Sequence, residues 1–180
     1  MNRIVVICAA VLAVPLLSSC TVAAPGFATA PGCPSVQRLG LVAQSVPSSS
    51  YVPCIIQLAT GWHTDNLVIR QGSTRFDLVS DRATKYPVQV AFRPACRPSA
   101  AAPVPPRTLG GRTYLELHTI SPRFAGTLYD VFPGGCVTYR FDFQRGPHIA
   151  LMADLQSSVG FVARVELDRS LRRQLGVQLP

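Results

Sequence analysis

The run Cys136-Val137-Thr138-Tyr139-Arg140-Phe141-Asp142-Phe143 alternates apolar and polar side chains along its whole length. A period of two belongs to a strand with one covered and one wet face, and it is incompatible with a helix. Ahead of it stand Pro133-Gly134-Gly135 and a second β-rich run over residues 126–132. Proline fixes a negative φ and glycine permits a positive one, so residues 126–143 are expected to form a hairpin. A strand that is wet on one side needs antiparallel neighbours and a second layer over its apolar side.

The chain on both sides supplies those parts. Residues 52–58 read as a first strand ended by Gly61, and residues 66–70 and 73–80 flank Gln71-Gly72 as a further hairpin. In its second arm Thr74, Phe76 and Leu78 alternate with Arg75 and Asp77. Residues 87–94, with Val88, Val90 and Phe92 on one side, and residues 112–120 continue the pattern. Between them, residues 97–111 hold four prolines and read as a long exposed loop.

Two helices are expected near the end. Leu151, Leu155 and Val159 recur every fourth residue after Pro147, with Gly160 as a stop. Residues 161–167 read as a last strand, and Asp168 as the cap of a short basic helix running to Leu175 and stopped by Gly176. The expected fold class is therefore α+β, mainly antiparallel β sheet with one or two short helices near the C-terminus.

The N-terminal region reads as an address. Arg3 is followed by fourteen uncharged residues, 4–17, and then by Ser18-Ser19-Cys20. A positive start, a short apolar segment and small residues at the cut are the parts of a secretory signal. A membrane span needs about 20 apolar residues, and this run is shorter and interrupted by Pro15. Leu17-Ser18-Ser19-Cys20 resembles the lipobox of bacterial lipoproteins. That resemblance implies a signal peptide over residues 1–19 and lipidation of Cys20 by a diacylglyceryl group, with palmitate among its acyl chains. Each buried methylene contributes about 0.8 kcal/mol to attachment, enough in sum for stable anchoring. Residues 20–45, rich in Pro, Gly and Ser, are then a flexible tether. Val36–Ser45 could fold back through Leu39, Leu41 and Val42, and residues 46–180 form one domain.

Cys8 falls in the expected signal, which leaves Cys33, Cys54, Cys96 and Cys136. An even number in an exported domain suggests disulfides. Intervals of 21, 42 and 40 residues build no local zinc ligand pair. Three pairings are open to four cysteines. Cys33 with Cys54 and Cys96 with Cys136 is preferred, because the first bond would tie the entering segment to the first strand. On the chain-entropy account each bond stabilises by about 3–4 kcal/mol.

Seventeen basic residues against nine acidic give a formal charge of +8. Such a balance favours a membrane surface or another anionic envelope surface as partner. The basic residues are dispersed along the chain, from Arg38 to Arg172-Arg173, which reads as a solvated basic surface; export disfavours nucleic acid. No Gly-x-Ser-x-Gly, phosphate loop, dinucleotide fingerprint or calcium loop occurs, so no catalytic residue, metal ligand or cofactor is assigned. Glu116 and His118, two apart on a strand, could form an acid/base or metal pair, as could His63 and Asp65, although a polar outer face explains Glu116 and His118 and a surface loop His63 and Asp65. Trp62 is expected to plug the core.

Gln44-Ser45-Val46-Pro47, Val52-Pro53-Cys54, Gly61-Trp62 and the run from Phe132 to Phe141 resemble an uncharacterised family of exported, membrane-attached actinobacterial proteins. The resemblance implies the outer face of an actinobacterial cell membrane, with mycobacteria among the candidate sources, and brings no activity with it. The expected role is binding or scaffolding. A small envelope hydrolase or metal-dependent enzyme and a carrier of a hydrophobic envelope lipid are the alternatives.

Overall fold

The computed structural model describes residues 29–82, 88–144 and 146–180. The expected signal peptide over residues 1–19 and Cys20 lie outside the described residues. Among the described residues no helix is long and apolar enough to cross a membrane.

In chain order the elements are α1 (Val36–Ser45), β1 (Tyr51–Ile55), β2 (Trp62–Arg70), β3 (Ser73–Ser80), β4 (Val88–Arg93), β5 (Ala102–Val104), β6 (Arg112–Thr119), β7 (Phe124–Phe132), β8 (Gly135–Phe143), α2 (His148–Ser158), β9 (Val159–Ala163) and α3 (Arg164–Leu175). The alternating runs build a seven-stranded antiparallel sheet in the order β2-β3-β4-β8-β7-β6-β5, while β1 and β9 pair as a separate ribbon. The α+β class expected from the sequence is the observed one. The β7–β8 hairpin turns where Pro and Gly demand it: Phe132 pairs with Gly135, and Gly134 has φ +69°. A Cβ on Gly134 would run into the backbone of Ser48, so the turn needs glycine for space as well as for φ.

Phe76, Val90, Tyr139 and Leu128 are successive cross-strand partners and form one inner row, each almost wholly buried. Over that face lie Leu39 and Val42 of α1, Val52 of β1, Leu151 and Leu155 of α2, and Leu167 and Leu171 of α3, all in one core cluster. Burying each such side chain stabilises by about 1.5–3 kcal/mol, which explains why the helices and the ribbon are held to this side alone. Trp62 is the expected plug: it is buried and its indole N–H donates to Asp154 Oδ2 at 3.3 Å.

Several expected boundaries are corrected. The tether does not run to residue 45, because packed structure already includes Ala30, Cys33 N–H donates to the Ile55 carbonyl, and α1 sends Leu39, Val42 and Ala43 into the core. Asp168 is not a helix cap. α3 begins at Arg164, and the Asp168 carboxylate accepts from the Leu179 backbone N–H at 2.8 Å and from Arg172 at 2.9 Å. The proline-rich segment 97–111 is also no simple exposed loop. It contains the edge strand β5, where Pro103 leaves one fewer donor on an open edge.

That segment also drives Arg107 inward. Its guanidinium pairs with Asp130 at 2.9 Å, lies over the rings of Tyr139 and Phe161, and donates to the carbonyls of Gln156 and Val159. Thr113 donates to the other Asp130 oxygen at 2.8 Å. Burial raises the Asp130 carboxyl above its ordinary value despite Arg107, and burial next to Asp130 pushes the Tyr139 phenol well up.

The two expected cysteine pairs are both bonded. Cys33 and Cys54 join the entering segment to β1 across 4.9 Å between Cα atoms, and Cys96 joins Cys136 across 5.9 Å.

Candidate functional site

Among the described residues the helices and the ribbon cover one side of the large sheet, and the other side is largely open. Its composition follows from the alternation: whatever is not in the inner row points outward. The cross-strand register then sets Arg75, Ala91, Thr138, Tyr129 and Tyr114 in one row and Asp65, Asp77, Gln89, Arg140, Thr127 and Glu116 in the next. A groove of about 590 Å³ crosses the middle of this face. Its polar walls are Arg75, Arg93, Arg97, Arg140, Thr127 and Tyr129.

Arg75 and Arg140 stand on strands two places apart and two residues out of register, which puts their Cα atoms roughly 12 Å apart. Arginine side chains can close most of that gap. All four arginines are exposed, and among the described residues none of them forms an ion pair or a hydrogen bond with a carboxylate. Four arginines elsewhere are paired, Arg82 with Asp154, Arg107 with Asp130, Arg123 with Asp142 and Arg172 with Asp168, while Arg70, Arg112 and Arg169 also form no ion pair among the described residues, so what sets the four apart is that they share one groove. The dispersal of basic residues in the sequence therefore does not carry over to the surface, where strand register places Arg75, Arg93 and Arg140, and the Cys96–Cys136 bond places Arg97, on one groove.

Cys96 is part of the groove wall, and its bond to Cys136 pins the segment carrying Arg97 across the outer face of β8. Cys136 shares its face with Thr138 and Arg140 in the alternation, so this bond lies over the polar side of the strand.

Glu116 and His118 do come together. A register shift between Leu117 and Thr119 locally bends β6, and His118 Nδ1 lies 3.8 Å from Glu116 Oε1. Tyr129 donates its hydroxyl to Glu116 Oε2 at 2.9 Å, and burial together with that carboxylate raises its phenol above the ordinary 10.0. His63 and Asp65 are elsewhere. They sit on β2, five strand spacings from β6, or about 24 Å away, so the four side chains cannot share a reacting atom. Among the described residues no three His, Cys, Asp or Glu side chains form a group able to hold a metal. His148 stacks on Phe124 with ring centres 5.6 Å apart, a packing role.

Sequence reasoning placed Arg75 and Arg140 on wet faces but did not gather them with Arg93 and Arg97. The parity of each strand is legible locally, whereas the register between β3, β4 and β8 is set by contacts distant in sequence. Chemically, the groove offers planar, permanently charged donors that suit phosphate or carboxylate oxygens bidentately.

Comparison with protein-family models, with curated proteins and with solved structures gives no match to this chain.

Proposed function

We propose that this chain is a lipoprotein anchored through Cys20 to the outer face of an actinobacterial cell membrane, and that its open sheet face binds an anionic ligand. The observation that carries the binding role is the set of four arginines, Arg75, Arg93, Arg97 and Arg140, that share one groove and have no carboxylate partner among the described residues. Unpaired cations crowded together repel one another, so a site of this kind gains from an anion between them. The anchor rests on Arg3, the uncharged run and Leu17-Ser18-Ser19-Cys20, and two disulfides suit an oxidising compartment. The apolar side of the sheet is filled by Phe92, Tyr139 and Phe143, which favours the polar face over an apolar cavity as the place where a ligand sits.

Calorimetric titration of the full chain with ethyl phosphate tests the binding role. Charge-assisted hydrogen bonds contribute about 1.5–3 kcal/mol each, so Arg75→Ala and Arg140→Ala are each expected to weaken binding by about 10–100-fold. Affinity should also fall as salt is raised. Equal heats from wild type and both variants would overturn the assignment of the groove.

A further inference from the structure

The arginine groove continues toward the sheet edge into a smaller hollow of about 360 Å³ that shares Arg75 and Gln89 with it. The character of the surface reverses there. Asp65 and Asp77 are direct cross-strand partners, an arrangement of like charges that costs stability unless a cation lies between them. Asp77 is 8% exposed and lines the hollow; its Oδ2 accepts from Asn66 Nδ2 at 2.9 Å, but its Oδ1 is buried with no hydrogen-bond partner. An unsatisfied buried carboxylate oxygen is expensive, and a partner is what it lacks.

The β2 backbone is bent to hold this geometry. The register shifts between Asp65 and Val68, Asn66 adopts φ +53°, and its N–H donates to Asp65 Oδ1 at 2.8 Å. The second Asp65 oxygen makes no hydrogen bond among the described residues. Gln89, the cross-strand partner of Asp77, lines the same hollow, and its amide can turn its oxygen to a donor there. Asp65, Asp77 and Gln89 thus line one hollow, and each carries a side-chain oxygen able to accept. Among the described residues no three His, Cys, Asp or Glu side chains group here as a metal would require, whereas an ammonium has three donors that a carboxylate pair and an amide can satisfy.

Resting on the reading of the arginine groove as an anion site, we infer that Asp65, Asp77 and Gln89 form an ammonium subsite, so that the ligand is a zwitterion carrying a primary amine a short spacer away from its phosphate. Arg75 and Asp77 point to the same face two residues apart on β3, which separates the cationic and anionic ends of the site by about 7 Å. Phosphoethanolamine has this chemistry, either as a free compound or as a lipid headgroup.

The test uses the full chain in detergent micelles and two titrants that differ only in the amine, O-phosphoethanolamine and ethyl phosphate. Wild type is expected to bind O-phosphoethanolamine at least tenfold more tightly. Asp77→Asn should bring its affinity down to that of ethyl phosphate and leave ethyl phosphate binding unchanged, and Asp65→Asn, at an exposed position, should act in the same direction without threatening the fold. Lysophosphatidylethanolamine in the micelle distinguishes the sources: binding tighter than that of O-phosphoethanolamine and weakened by Asp65→Asn identifies a headgroup, and tighter binding of the soluble compound identifies the free zwitterion. Equal affinity of wild type for O-phosphoethanolamine and ethyl phosphate would overturn the ammonium subsite and leave the anion groove standing. Failure of all three titrants to bind would overturn both.

Discussion

Arg107 and Arg164 solve the same local problem from opposite parts of the chain. A helix leaves its last carbonyls without intrahelical partners, and neither α1 nor α2 has a basic residue in its last turn. Arg164 donates to the carbonyls of Ala43, at the end of α1, and of Pro180, and Arg107 closes the end of α2. Asp168 does a related task for the tail. Its carboxyl is held below the ordinary value of 3.8, chiefly by the Leu179 backbone N–H; burial opposes this, and the charge and hydrogen bond of Arg172 add smaller pulls in the lowering direction. A carboxyl lowered on folding contributes stability above its unfolded value, and that contribution is lost as pH falls through the folded value. Acidification below about pH 3.8 should therefore release Leu179, which is buried in the native fold. In an NMR titration the Asp168 carboxyl carbon and the Leu179 amide are expected to shift with one midpoint, and Asp168→Asn should remove the Leu179 transition. Independent midpoints would show that the tail is held by something else.

At the scale of elements, α1 is the helix that local sequence did not announce. It contains Gly40, has no side-chain cap at its start, and follows a segment whose Pro and Gly content reads as tether. Its reason to exist is tertiary. Gly40 lets α1 approach α3 so closely that an added Cβ would lie 3.3 Å from Leu171 Cδ2 and 3.4 Å from Cδ1. A single methyl could be absorbed by a small shift of Leu171, with a helix-propensity gain of about 1 kcal/mol in its favour. A branched side chain could not. Gly40→Val is expected to destabilise the domain by about 1–3 kcal/mol through overpacking, read as a lower urea midpoint with an unchanged slope. No loss of stability would mean that the helix pair is not as tight as described. The strands were more legible, because parity in Val137, Tyr139, Phe141 and Phe143 marks the inner face regardless of partners. What parity could not supply was order. That β4 pairs with β8, and so brings Arg93 and Arg140 to one groove, depends on bringing together segments more than forty residues apart. The β5 strand was hidden for the opposite reason, since three residues with a proline carry too little pattern to stand out from a loop.

For the whole molecule, the two faces of the sheet divide the work. One is closed by three helices and a ribbon and supplies the stability; the other keeps its charged groove in solvent. The Cys33–Cys54 bond fastens the entering segment to β1, so a pull transmitted along the residues after Cys20 would meet a covalent tie before it reached the sheet. On the chain-entropy account, closing a loop of this length stabilises the fold by about 3 kcal/mol. A lipid anchor on Cys20 and oxidised cysteines both require export, so one intact-mass measurement on membrane-extracted protein examines them together. The expected mass is that of residues 20–180 plus the diacylglyceryl group and any further acyl chain, less two hydrogens for each of the two disulfides. Chemical reduction should restore those hydrogens, and Cys20→Ala should abolish the lipid increment while leaving the disulfides in place. An unlipidated mass beginning after residue 19 would make the protein freely secreted. A mass that still included residues 1–19 would make the uncut N-terminal segment the anchor, and in either case the proposed lipid on Cys20 would be ruled out.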